Sequence, residues 1–277
     1  MNYRHAFHAG NFADCMKHAL LLWMLDALGR KPAPFFVLDT HAGLGRYDLI
    51  AGDAARTGEW RDGIARLLHE PPACLQRYVD AVSAVGNAGE FIYPGSPLLT
   101  YQALRETDRL ICCELHPEDA AVLKNLFRGE GHAGVHLRDG YEAIRALLPF
   151  KERRGLILID PPYEAPGEFE RVVTALQEGA ARFDRGIYAV WYPIKHRAPI
   201  NTLHEAVGLA RLKNVVAAEL WLRRPLDPAV LNGCGLLVRN APHGFEAAAT
   251  TMLAALAERL GDADSGSAVI RITPELG

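Results

Sequence analysis

The feature that most constrains this chain is a repeated unit: a short, unbroken apolar run that stops at a polar or aromatic residue and is followed by a helix-length stretch. Phe35-Phe36-Val37-Leu38 stops at Asp39, Leu110-Ile111-Cys112-Cys113 at Glu114, and Gly155-Leu156-Ile157-Leu158-Ile159 at Asp160. Ile187-Tyr188-Ala189-Val190-Trp191 stops at Tyr192-Pro193. Runs this short without polar alternation read as strands buried on both faces. Helical spacing covers residues 117–128, 142–148, 168–182 and 200–210, and a first amphipathic helix is expected over 12–28, where Met16, Leu20, Trp23, Met24 and Leu28 recur, with Asn11 as its cap. Strand alternating with helix implies a mostly parallel, doubly wound sheet with helices on both faces. Short strands at 135–137, 215–222 and 236–239 bring the expected total to seven, with a closing helix over 245–260.

One connection breaks the pattern. Between the Gly43-Leu44-Gly45 turn and the strand at Leu110 there are too many residues for one crossover helix. Trp60, Ile64, Leu67 and Leu68, then Leu75, Tyr78, Val79 and Val82, lie at helical spacing there. The expected organisation is an N-terminal tail, first helix and start of the core over 1–46, a small inserted helical subdomain over 47–92, and the rest of the core over 93–277.

The longest apolar run, Ala19 to Leu25, is far shorter than the roughly 20 residues a bilayer span needs. With 30 Lys and Arg against 33 Asp and Glu, the net charge of −3 does not suit binding of duplex nucleic acid by bulk electrostatics. Positive charge is local: Lys151, Arg153 and Arg154; Lys195, His196 and Arg197; Arg223 and Arg224. The start of the chain lacks the pattern of a signal peptide, and its five cysteines form no C-x-x-C, which together point to the cytoplasm and reduced thiols. His5, His8 and His18 lack acids at ligand spacing, so no metal is expected. No long exposed apolar stripe asks for a partner, and a monomer is expected.

Ligands of open α/β sheets bind beyond the carboxyl ends of the strands. Asp39-Thr40-His41-Ala42-Gly43-Leu44-Gly45 is a glycine turn that allows close backbone approach to a nucleotide-type cofactor, although such turns also serve structure alone. Glu114 is placed to accept from both hydroxyls of an adenosine ribose. Asp139 suits an adenine amine with the Gly140 amide beside it, and a helix cap explains Asp139 equally. Ser96 before Pro97 likewise reads as a cap. The strongest signal is Leu158-Ile159-Asp160-Pro161-Pro162-Tyr163: a strand, a carboxylate, two prolines that stiffen the loop and remove amide donors, and an aromatic face for a base.

This order of motifs resembles the S-adenosylmethionine-dependent amino-methyltransferases, whose [DNS]-P-P-[YFW] loop binds a target amine. Tyr3 to Asn11, Lys17-His18, Leu38 to Gly43, Tyr93 to Pro97, Glu114 to Pro117, Gly155 to Tyr163 and Gly186 to Pro193 look like the RlmJ family of 23S ribosomal RNA adenine-N6 methyltransferases, which modify adenine 2030. The resemblance implies a Rossmann-like class I methyltransferase fold and S-adenosylmethionine as cofactor. It implies that His18, His41, Ser96, Glu114, Asp139, Gly140 and Asp160 contact the cofactor, with Asp160 the catalytic acceptor. Tyr3 and Lys17 would lie over the active site, and Pro161 and Tyr163 would hold a single-stranded or flipped adenosine. A DNA adenine or protein glutamine methyltransferase, or a non-catalytic RNA-binding protein of the same fold, shares parts of this pattern.

Overall fold

The computed structural model describes residues 5–86 and 90–275. In chain order the elements are α1 (Phe12–Gly29), β1 (Phe36–Asp39), β2 (Arg46–Asp48), α2 (Gly52–Thr57), α3 (Gln76–Ser83), β3 (Ile92–Pro94), α4 (Ser96–Ala103), β4 (Arg109–Glu114) and α5 (Pro117–Leu126). They continue with β5 (Ala133–Leu137), α6 (Gly140–Leu147), β6 (Gly155–Ile159), α7 (Glu168–Arg182), β7 (Ile187–Ile194), α8 (Arg197–Leu209), β8 (Val215–Trp221), β9 (Gly233–Arg239), α9 (Phe245–Leu260) and β10 (Gly266–Thr273).

The main sheet runs β10-β8-β9-β7-β6-β1-β4-β5. Strands β5, β4, β1, β6 and β7 pair in parallel, and β9, β8 and β10 are added antiparallel. Side-chain alternation explains why the parallel strands read as solid apolar runs. Val37, Leu156 and Leu158 face one core with α1 and α9, while Phe36, Leu38, Ile157 and Ile159 face a second core with α6 and α7.

The sheet has eight strands rather than the expected seven, because β10 pairs along the outer edge of β8. Strand β9 begins at Gly233, earlier than its apolar pattern announced. A Cβ on Gly235 would sit 2.1 Å from the Tyr192 ring, so glycine there admits the neighbouring strand's aromatic side chain. Strand β7 runs on through Pro193. Its pairing with β6 stops at Val190, and beyond that point β7 pairs only with β9, where a missing amide is tolerated.

Helix α1 is not amphipathic. Fourteen of its eighteen residues are buried, because α3, α4 and α9 all pack on it. Asn11 does cap it, accepting from the amides of Ala13 and Asp14. Between Arg46 and Pro94 the chain forms an antiparallel ribbon of β2 and β3 around α2, α3 and three 3-10 turns, Glu59–Arg61, Ile64–Arg66 and Ala73–Leu75. Trp60 and Ile64 thus sit on 3-10 turns, not on one helix. Gly63 interrupts them and packs so tightly that a Cβ there would lie 2.1 Å from the Gly10 carbonyl oxygen.

Candidate active site

The carboxyl ends of β1, β4 and β6, with the turn after β5, border a cavity of about 470 Å³. His18, His41, Ser96, Glu114, Asp139, Gly140 and Asp160 all line it, together with Lys17 and Pro161. Tyr163 stands outside the lining, with its ring edge-on to Trp191 and its hydroxyl donating to the Trp191 carbonyl at 2.7 Å. Tyr3 lies outside the described residues.

Asp160 follows the end of β6, and its Oδ2 accepts from Lys17 Nζ at 2.5 Å. Lys17 also reaches Asp14 Oδ1 at 3.0 Å, and its side chain is only 5% exposed. Lys17 is therefore buried against Asp160 while still bordering the cavity. Burial alone would lower its pKa, but Asp14 and Asp160 more than offset that and hold it well above the ordinary lysine value. The result is a buried cation between two carboxylates, one of which faces the cavity. Asp14 itself is fixed by the Gly10 amide at 3.0 Å.

The turn after β1 is held from below. Ser96 donates to Asp39 Oδ2 at 2.6 Å, and burial pushes Asp39 up to about 6 despite that bond. Ser96 is not a cap, since Gly95 occupies the N-cap position of α4 and the hydroxyl is spent on Asp39. Thr40 Oγ1 bonds the Leu158 carbonyl and His41 Nδ1, each at 2.8 Å. Loss of water around His41 lowers its pKa to about 4, against the pull of Asp160 and Asp139, so the ring is neutral at neutral pH. Gly43 sits at φ 62°, and a Cβ there would lie 2.4 Å from the Tyr47 hydroxyl.

Glu114 ends β4 with both oxygens anchored, Oε2 by the Gly43 amide and Oε1 by the His116 amide, each at 2.8 Å. It is thus a fixed acceptor pair rather than a loose strand end. Asp139 does cap α6: its Oδ1 accepts from Tyr141 and Glu142 amides at 2.8 and 3.1 Å, while Oδ2 lies 3.6 Å from Arg171. Gly140 is required by contact, since a Cβ would fall 2.2 Å from the Thr40 carbonyl oxygen.

Sequence reasoning missed Asp14, Thr40, and the wall formed by Tyr141, Glu168 and Arg171. Tyr141 donates to Glu168 Oε1 at 2.6 Å, and the Arg171 guanidinium lies 4.4 Å from the Tyr141 ring centre. Asp14 had one signal, its place three residues before Lys17 on one helix face. Tyr163 holds φ 52°, a conformation that costs a non-glycine residue about 1–3 kcal/mol and that its bond to Trp191 secures.

Among the described residues no cluster of His, Cys, Asp and Glu has the makings of a metal site, and no helix is long and apolar enough to cross a membrane. All five cysteines are free thiols.

The chain is 38% identical over 280 residues to a Haemophilus influenzae protein named Ribosomal RNA large subunit methyltransferase J, covering 99% of this chain and all of that one. It is 39% identical over 279 residues to the Escherichia coli protein of the same name, with the same coverage. A crystal structure of a Legionella pneumophila protein superposes with a TM-score of 0.88 at 34% identity, covering 95% of this chain and 98% of that one. The family described as Ribosomal RNA large subunit methyltransferase D, RlmJ, matches residues 32–273, so the strand-end carboxylates and the Asp-Pro-Pro-Tyr loop belong to a chain that is a member of the RlmJ family, on a Rossmann-like class I methyltransferase fold.

Proposed function

We propose that this protein transfers a methyl group from S-adenosylmethionine to the N6 amine of an adenine in 23S ribosomal RNA, adenine 2030 by family resemblance, and that it acts as a cytoplasmic monomer with residues 47–92 as an inserted subdomain. One observation carries the reading. Asp160 heads Pro161-Pro162-Tyr163 with one oxygen taken by Lys17, and it borders the same cavity as Glu114, whose strand lies on the other side of β1.

The residues present suit the cofactor. A cavity lined by Asp39's turn, Glu114, Asp139 and Asp160 is acidic, which favours a ligand carrying a sulfonium and an ammonium. Each Glu114 oxygen keeps a lone pair for a ribose hydroxyl after its amide bond. Asp139 Oδ2 is left for the adenine amine once Oδ1 has capped α6. His18, His41 and Ser96 line the same cavity and would border the methionyl end, Ser96 with its hydroxyl proton already given to Asp39. When bound, S-adenosylmethionine supplies the electrophilic methyl.

An adenine amine is a poor nucleophile because its lone pair is delocalised into the ring. Asp160 Oδ1 and the Pro161 carbonyl would accept its two N–H bonds, so the nitrogen pyramidalises with its lone pair aimed at the methyl. Lys17 on Oδ2 locks the carboxylate's orientation. Such positioning supplies roughly 7–11 kcal/mol. Tyr163, tethered to Trp191 just outside the cavity lining, would have to present its ring at the mouth of the site for stacking worth about 1–3 kcal/mol, which suits a flipped or unpaired base. Asp160 then takes the amine proton or passes it to water.

The test is transfer of a labelled methyl group to protein-free 23S rRNA, to a fragment spanning the target adenine, and to DNA of the same sequence. Transfer to RNA alone, abolished in Asp160→Ala with cofactor binding retained, is expected. Transfer to DNA or to nothing would overturn the rRNA reading.

A further inference from the structure

The cofactor reading uses the sheet edge at β1, β4 and β5, which leaves the carboxyl edge beyond β6 for the substrate strand. Two loops occupy that edge. Residues 195–196 follow β7, and residues 222–232 join β8 to the antiparallel β9, which starts at this same end. Neighbouring strands lie about 4.8 Å apart, so these loops extend from roughly 5 to 15 Å beyond the strand that carries Asp160.

One buried side chain locks the two loops together. Asn232, 1% exposed, donates from Nδ2 to the Lys195 carbonyl at 2.8 Å and to the Asp227 carbonyl at 2.7 Å. Its own amide donates to the Ile194 carbonyl at 3.1 Å and its carbonyl accepts from Leu222 at 2.9 Å. On this rigid base Lys195, His196, Arg223 and Arg224 stand exposed. Arg224 pairs with Asp264, itself exposed, while Lys195 and Arg223 have no acidic partner among the described residues. Arg197 differs: it folds back onto buried Glu219 and lies over Trp221, and so serves the fold. On the same loop as Arg223, three residues on, Leu226 is 76% exposed, an apolar side chain held in water.

We infer that these two loops form a platform for the single RNA strand flanking the target adenosine, with Lys195 and Arg223 on phosphates and Leu226 against an unstacked neighbouring base. The inference rests on the RNA reading of the active site. Cations alone would suit any polyanion. Cations that share one sheet edge with an exposed apolar residue, beyond the strand whose loop would take one base, suit an unpaired strand, whose bases are open to apolar contact.

The experiment uses the full-length protein, a labelled 23S rRNA fragment spanning the target adenine, and the variants Lys195→Ala/Arg223→Ala and Leu226→Ala. The double variant is expected to raise the KM for RNA about tenfold with kcat nearly unchanged and cofactor affinity intact. Each phosphate contact on a single strand contributes about 0.7 to the slope of log K against log salt, so the slope should fall by about 1.4. Leu226→Ala should weaken binding without altering the slope. Wild-type KM and slope in the double variant, with the wild-type protein methylating the fragment, would overturn the platform while leaving the RNA reading standing. Equal competition by duplex DNA would overturn it too, and failure of the wild-type protein to methylate any RNA would overturn both.

Discussion

Replacing Gly140 by alanine puts one methyl group where the turn after β1 and the start of α6 touch. The added Cβ would lie 2.2 Å from the Thr40 carbonyl oxygen, 2.7 Å from Thr40 Cβ and 2.9 Å from its carbonyl carbon, where ordinary contact begins at 3.4 Å. The two segments must separate by about 1 Å, and neither is free to do so cheaply. Thr40 is tied to the Leu158 carbonyl by its amide at 3.0 Å and its hydroxyl at 2.8 Å. Helix α6 is tied by the Asp139 cap and by Tyr141's bond to Glu168. Overpacking of this kind costs about 1–3 kcal/mol of stability. A shift of that size also carries Asp139 or His41 out of hydrogen-bonding range of a ligand. Losing one bond to a charged group costs about 1.5–3 kcal/mol, or roughly 10- to 150-fold in affinity. Titration calorimetry with S-adenosylmethionine and a thermal melt read both effects. Gly208→Ala in α8 is the control: nothing lies within 4 Å of the added methyl, and it should stabilise by about 0.5–1 kcal/mol. Cofactor affinity within twofold of wild type at an unchanged melting temperature in Gly140→Ala would refute the steric argument.

Lys17→Met leaves buried Asp14 and half-buried Asp160 without their shared cation, and a loss of about 3–5 kcal/mol in a denaturant titration is expected; an unchanged midpoint would exclude the ion chain as a structural element. Ser96→Ala removes the 2.6 Å donor from Asp39 and should cost about 1–3 kcal/mol at pH 8. Asp39's folded pKa is already raised to about 6, so its ionised form is the disfavoured one; the deficit should shrink as pH falls below 6, and a pH-independent deficit would contradict this assignment. His8 is raised by its bond to Glu59, and Glu59 is lowered by His8 although burial opposes it. The His8 contribution is full below its ordinary 6.5 and is lost as pH rises through its folded value, while that of Glu59 is present above 4.5 and lost as pH falls. Glu59→Gln should therefore destabilise most near pH 5.5, by less than about 1 kcal/mol because both side chains are over one-third exposed, and melts showing a larger effect at pH 8.5 would reverse the sign argument.

The parallel half of the sheet was legible because burial on both faces leaves a distinctive residue pattern, and the ends of β6, α7 and α9 fall where the apolar periodicity puts them. Strand β10 was not legible: it is an edge strand, partly exposed along most of its length, so its side chains carry no such signature. The segment after Asp48 misled for another reason. Spacing of Trp60 and Ile64 fits a helix, but helical spacing only requires two side chains to share one face, and 3-10 turns broken by Gly63 satisfy that as well. At the site, strand-end carboxylates were readable because a charge at the end of an apolar run has few structural uses. The chemistry around them was not, since Asp14, Thr40 and Glu168 act through partners that only folding brings near. The cap reading of Asp139 accounts for Oδ1 alone, while Oδ2 faces Arg171 at 3.6 Å, a neighbour the sequence did not announce.

The ion chain also bears on what Asp160 contributes to transfer. A lone carboxylate beside an amine acquiring positive charge would attract it by about 4 kcal/mol at 4 Å and an effective dielectric of 20. Lys17, bonded to the far oxygen at 2.5 Å, repels the same charge from about 6 Å by nearly 3 kcal/mol. What survives of the Asp160 attraction is on the order of 1–2 kcal/mol, and Asp14, on the other side of Lys17, restores part of the loss from farther away, which leaves the charge effect small beside the roughly 7–11 kcal/mol available from orientation. Under the proposed mechanism, Lys17 on Oδ2 therefore serves to fix the direction of Asp160's free oxygen more than to preserve its full charge. That is consistent with the two prolines and the strained Tyr163 that follow, each of which stiffens the loop and none of which adds charge.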